Sequence, residues 1–177
     1  MDSLVVTVVG PDRPGLVSLI ADRAKQHGAS WDQSRMATLA GQFAGIVHFQ
    51  VPPGASAALA SALRDLEATG LHVVVVEGAG VASDAGELAT QSLRLELVGQ
   101  DRPGIVRDIS RALAELSISI QELTTEVTSA AMSGEHLFNA SALLQVPAGV
   151  STATLKKVLE ALANELMVDV NLQDASA

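Results

Sequence analysis

Two kinds of apolar spacing alternate along this chain, and each is used more than once. Leu93, Leu95 and Leu97 alternate with Arg94 and Glu96, the period of two expected of a strand with one wet face. Leu4 to Val9 is a β-branched run that predicts a strand partly buried on both faces. Leu16, Leu19, Ile20 and Ala24 follow i, i+3, i+4 spacing, as do Ile105, Ile109, Ala112, Leu113 and Leu116. Both sets predict amphipathic helices. Gly28 is placed to stop the first of these. Second strands are expected from near Ala29 and Ile118, and third strands end at Val51 and Val146, where a Pro follows. Leu59, Ala62, Leu63 and Leu66 predict another helix, and Leu155, Val158, Leu159 and Leu162 its twin. Val73–Val76 and Met167–Leu172 are the last strands expected.

The order is therefore β-α-β-β-α-β, written twice. Gly10-Pro11-Asp12-Arg13-Pro14-Gly15-Leu16-Val17 recurs as Gly99-Gln100-Asp101-Arg102-Pro103-Gly104-Ile105-Val106, offset by 89 residues with six of eight positions identical. Phe49-Gln50-Val51-Pro52 is answered by Leu144-Gln145-Val146-Pro147 at an offset of 95, so the second copy carries six extra residues. Those residues are expected in its hairpin, where Ser129 to Glu135 contains Ser133-Gly134 and reads as a loop tip. The Gly-, Ala- and Ser-rich stretch 78–91 reads as a linker between copies at 1–77 and 92–173, with 174–177 as a tail. Right-handed crossovers make each copy a ferredoxin-like α+β unit. Its antiparallel sheet has order 4-1-3-2, with both helices on one face. The open faces and edges suit pairing of copies, so a homo-oligomer is expected.

Composition narrows the function. Net charge is −9, from 11 basic and 20 acidic residues with no basic run, which disfavours direct nucleic-acid binding and an acidic membrane surface. There is no Cys, which removes disulfides, thiol catalysis and zinc–thiolate sites. Met1-Asp2-Ser3 offers no basic n-region, and no apolar run is long enough to span a bilayer, so a cytoplasmic location is expected. His27, His48, His72 and His136 are scattered without metal-ligand spacing, and no metal or cofactor is expected. His27, just before Gly28, suits a helix C-terminus. Trp31 reads as a core or interface residue. Asp12 interrupts any dinucleotide Gly-x-Gly-x-x-Gly, and there is no phosphate loop or nucleophile elbow. No nucleophile, base and orienter set repeats in both copies, so a non-catalytic protein is expected.

The repeated turn carries the candidate chemistry. Pro14 and Pro103 fix φ near the first helical position, and Gly15 and Gly104 leave room for a close approach. The first N–H groups of the helix that follows have no internal partner and favour a carboxylate. Asp12 or Asp101 can receive an ammonium group, so the two together suit an amino-acid zwitterion. Each Asp can equally serve only the helix terminus, and Arg13 and Arg102 can hold a carboxylate or a solvated ion pair.

The apolar strand, Gly-x-Asp-Arg-Pro-Gly, the amphipathic helix and the hairpin resemble the ACT domain in both copies. Two ACT units with little else resemble the glycine cleavage system transcriptional repressor family. That resemblance implies a regulator that senses a small amino acid, with glycine or serine as candidates. It also implies a protein partner such as a transcriptional activator. A regulatory subunit of a biosynthetic enzyme, or a ligand-independent adaptor, is the alternative. Related domains contact ligand through this loop and through a polar residue opening the second strand. By position those residues are Asp12, Arg13, Pro14, Gly15, Leu16 and Ser30, with Asp101, Arg102, Pro103, Gly104, Ile105 and Ser119. The family often has amide-bearing residues before the Arg and at the strand position, where this chain has Asp and Ser.

Overall fold

The computed structural model describes residues 1–77, 90–129 and 135–175. The chain divides into two compact units, Met1–Asp84 and Ala85–Ala177. The first contains β1 (Asp2–Pro11), α1 (Leu16–Gln26), β2 (Ser30–Leu39), β3 (Gln42–Val51), α2 (Ser56–Arg64), a 3₁₀ turn (Asp65–Thr69) and β4 (His72–Glu77). The second contains β5 (Thr90–Gln100), α3 (Ile105–Glu115), β6 (Ser119–Ser129), β7 (His136–Pro147), α4 (Thr152–Leu166) and β8 (Val168–Asp174). Both sheets are antiparallel in every pairing, ordered β2-β3-β1-β4 and β6-β7-β5-β8, the 4-1-3-2 order expected from the repeat.

In the first unit, alternation along β1 sends Leu4, Val6 and Val8 under the helices. There they join Leu16, Ile20, Ala24, Leu59 and Leu63 in one buried cluster. Trp31 packs half-buried against this cluster and meets Phe49 edge-on, ring centroids 5.3 Å apart. By the repeat offsets, the second unit has Ile120 for Trp31, Leu144 for Phe49 and Ala142 for Val47. Its core accordingly divides into two clusters. An apolar cleft of about 20 Å³ remains beneath α3, lined in part by Leu95, Leu97, Ile109, Leu113 and Phe138.

The opposite faces of the two sheets differ. The first presents Val9, Ile46, Val74 and Val76, all at least 40% exposed. The positions of the second that point the same way include Arg94, Glu96, Glu122, Glu126, Asp169 and Asn171.

Several boundaries differ from the sequence reading. α1 begins at Leu16, and Pro14, read as near the first helical position, stands two residues ahead of it. Gly15, at φ 92° and ψ −1°, takes the third position of a type II turn, with Pro14 ahead of it as that turn prefers. Met167 is the C-cap of α4 at φ 53°, 73% exposed, and β8 starts one residue later. Leu66 stands in a 3₁₀ turn that follows α2, and within α2 it is Ala60, not Ala62, that is buried beside Leu59 and Leu63. β5 begins at Thr90, inside the stretch read as linker; residues 78–89, and residues 130–134 of the hairpin insertion, lie outside the described residues.

Candidate functional site

Gly10 and Gly99 serve close packing: a Cβ on Gly10 would lie 2.7 Å from the Gly70 carbonyl oxygen, and one on Gly99 2.4 Å from Val168 Cγ1. Gly15 and Gly104 serve conformation, at φ 92° and 101°. Arg13 reaches across to donate to the Thr69 carbonyl at 2.6 Å, and Arg102 donates to the Glu165 carbonyl at 3.4 Å. Each guanidinium thus ties the turn to the end of its unit's second helical segment. This is a use for the repeated Arg that sequence spacing did not reveal.

Asp12 and Asp101 are left over. Their main-chain N–H groups bind the Gly41 and His136 carbonyls at 2.9 and 2.8 Å. Among the described residues, neither carboxylate has a hydrogen-bond or ion-pair partner, and both are exposed. Neither caps its helix, because the N-cap residues are Gly15 and Gly104 and no side chain caps either.

The helix openings complete the corner. The first intrahelical bonds run from Leu19 N–H to the Gly15 carbonyl and from Asp108 N–H to the Gly104 carbonyl. The three preceding N–H groups of each helix are therefore without helical partners. Leu16 and Ile105 are each 2% exposed, so only their main chain is available to a ligand. Nothing lies within 4 Å of a Cβ built on Gly15, whereas at Gly104 the Asp108 carboxylate stands 3.6 Å away. The residue matching Asp108 in the first unit is Leu19. A carboxylate already in the first turn of α3 opposes a second anion there by like charge. The sequence contained this asymmetry, but it matters only once the corner is built.

Ser30 and Ser119 do not join the corner of their own unit. Ser30 pairs with Gln50, which pairs with Ser3, while the turn follows Pro11. Eight residues of strand separate the two ends, roughly 27 Å at the rise of an antiparallel strand. Ser119 pairs with Gln145 at the corresponding far end of the second sheet. Within one unit, a single small ligand cannot touch both.

His27 is the C-cap residue of α1, with its Nδ1 2.9 Å from the Arg23 carbonyl. Among the described residues no group of His, Asp or Glu is arranged to hold a metal ion. No helix among them is long and apolar enough to cross a membrane.

Comparison with known proteins agrees with this architecture. The ACT domain profile matches residues 2–76 and 91–173. A UPF0237 protein of Methanocaldococcus jannaschii is 38% identical over 80 residues, 45% of this chain and 82% of the relative. One of Streptococcus mutans is 30% identical over 82 residues, 46% of this chain and 86% of the relative. The crystal structure of an unknown protein from Galdieria sulphuraria superposes with a TM-score of 0.81 at 30% identity, covering 99% of both chains. A structure described as a candidate glycine cleavage system transcriptional repressor gives 0.72 at 19% identity, covering 99% of this chain and 98% of that one; it shows a common fold.

Proposed function

Because the chain belongs to the ACT domain family over both of its halves, we propose that it is an amino-acid-responsive regulator whose repeated turn receives the ligand. One observation carries the reading. In both units the Asp12 or Asp101 side chain makes no hydrogen bond or ion pair among the described residues, unlike the neighbouring Arg, and it lies four residues ahead of a helix opening whose first N–H groups lack helical partners. The ligand carboxylate would take the N–H groups of Leu16 to Ser18, and its ammonium would take Asp12. Glycine and serine are the first candidates, since both fit a corner that lacks a side chain at Gly15. The first unit is the stronger site, because Asp108 opposes an incoming carboxylate in the second.

Ligand would shift the chain between states that differ in affinity for a protein partner such as a transcriptional activator. The shift equals the difference in ligand affinity between those states, typically about 1–3 kcal/mol.

Isothermal calorimetry with a panel of free amino acids tests the proposal. Saturable heat with glycine or serine, lost in Asp12→Asn and retained in Asp101→Asn, is the expected result. Silence across the panel, together with an unchanged melting temperature, would overturn it.

A further inference from the structure

Outside the repeated turns, the first sheet assembles three side chains with complementary chemistry. Ser3 Oγ lies 2.6 Å from His48 Nε2, and His48 Nδ1 lies 2.8 Å from Asp32 Oδ2. The three come from β1, β3 and β2. Ser3 and His48 stand one pair apart along the β1–β3 ladder, since Ser3 faces Gln50 and Val5 faces His48. Asp32 sits in the β-bulge where the β2–β3 register shifts between Trp31 and Gln33. A bulge re-aims a side chain in this way. The His48 side chain is 13% exposed, and Asp32 is 43% exposed. A carboxylate only accepts, so Asp32 takes the Nδ1–H. Nε2 is then left as acceptor for the Ser3 hydroxyl.

The fold does not require this set. By the repeat offsets, the second unit has Ser92, Leu143 and Gln121 at the three positions, with the same bulge between Ile120 and Glu122 and the same strand order. The hydroxyl is common to both units, but the base and its orienting carboxylate belong to the first alone.

We propose that Ser3, His48 and Asp32 form a nucleophilic relay, in which Ser3 accepts an acyl group from an activated short-chain carboxylic ester. Ser3 Oγ attacks the carbonyl carbon while its proton passes to His48 Nε2. The bond to the leaving group breaks, and the departing alkoxide or phenoxide takes that proton from the imidazolium. The products are an acyl ester on Ser3 and a free alcohol or phenol. Water, deprotonated in turn by His48, then attacks the acyl carbon; the bond to Ser3 Oγ breaks, Oγ takes the proton back from His48, and the carboxylic acid leaves. Val5 and Val76, paired on this face next to Ser3, offer an apolar strip to the acyl chain. General-base assistance contributes about 10²–10⁴-fold, which suits an ester with an acidic leaving group and not an amide. His48 is the catalytic base, and Asp32 is a positioning residue. The relay stands independently of the amino-acid reading above.

The test is incubation of the full chain with p-nitrophenyl acetate, followed by intact-mass measurement and peptide mapping. The expected result, in samples acid-quenched before the acyl ester hydrolyses, is one acetyl group on Ser3, with p-nitrophenolate released in step. His48→Ala should slow Ser3 acetylation by about 10²-fold or more, and imidazole added to the buffer should restore part of the rate. Asp32→Asn should also slow it, with partial recovery in Asp32→Glu. Acetyl found only on amines would overturn the relay. So would Ser3 modified at an unchanged rate in a folded His48→Ala or His48→Gln variant.

Discussion

Gly99 pairs with Val168 across the β5–β8 ladder, and a methyl group added there meets packed atoms at once. A Cβ would lie 2.4 Å from Val168 Cγ1, 2.9 Å from its Cβ and 3.1 Å from its Cα. Carbon atoms rest about 3.5–4.0 Å apart. Rotation of the Val168 side chain can relieve the first contact, but the contact with Cα requires the strand itself to move. Overpacking of this kind costs about 1–3 kcal/mol. Replacing Gly by Ala in a strand recovers about 0.5–1 kcal/mol of backbone entropy. At the middle of both ranges, Gly99→Ala should therefore destabilise the second unit by about 1–2 kcal/mol. For a unit of this size that is a fall in Tm of roughly 4–15 °C. Thermal and urea melts followed by circular dichroism give the value. Val168→Ala provides the internal control. It removes the Cγ atoms and so relieves part of the clash, and the double variant should be more stable than the sum of the singles by at least about 0.5 kcal/mol. A Gly99→Ala protein as stable as the parent, or strict additivity with Val168→Ala, would refute the packing account of this glycine.

Three further outcomes follow from local geometry. Ser151 caps α4 by accepting from the Thr154 N–H at 3.1 Å, and Ser151→Ala should cost about 1 kcal/mol in a denaturant melt. Met167 holds φ 53° with its side chain in solvent, so Met167→Gly should raise stability by about 0.5–1 kcal/mol. Gly15→Ala meets no neighbouring atom within 4 Å, but it must hold φ 92°, so a loss of about 1–3 kcal/mol without any packing defect is expected in the same melts.

The duplicated fold was legible because its signals are local and written twice. Alternation in Leu93–Leu97, the helical spacing from Leu16 and the in-register Gly-x-Asp-Arg-Pro-Gly each depend on near neighbours in sequence. Helix and strand ends were less legible: nothing in the residue types says that Met167 adopts a left-handed conformation, or that Leu66 stands in a 3₁₀ turn after α2. At the site, the turn and the openness of Gly15 could be read from the pattern. The partners of Arg13 and Arg102 could not, because Thr69 and Glu165 lie 56 and 63 residues away and accept through main-chain oxygen, which every residue type carries. The Ser3–His48–Asp32 alignment was hidden for another reason. It needs strand register and a bulge together, and it has no counterpart in the second copy that would mark it as a repeated motif.

The unlike outer faces of the two sheets bear on how the chain can be divided in the laboratory. Expressed alone, residues 1–77 would carry Ile46, Val74 and Val76 into solvent on a broad strand surface and should self-associate as concentration rises. Residues 90–175 would carry a fringe of carboxylates at Glu96, Glu122, Glu126 and Asp169, whose mutual repulsion keeps copies apart. The halves share one blueprint, yet as separate reagents they would differ in colloidal behaviour.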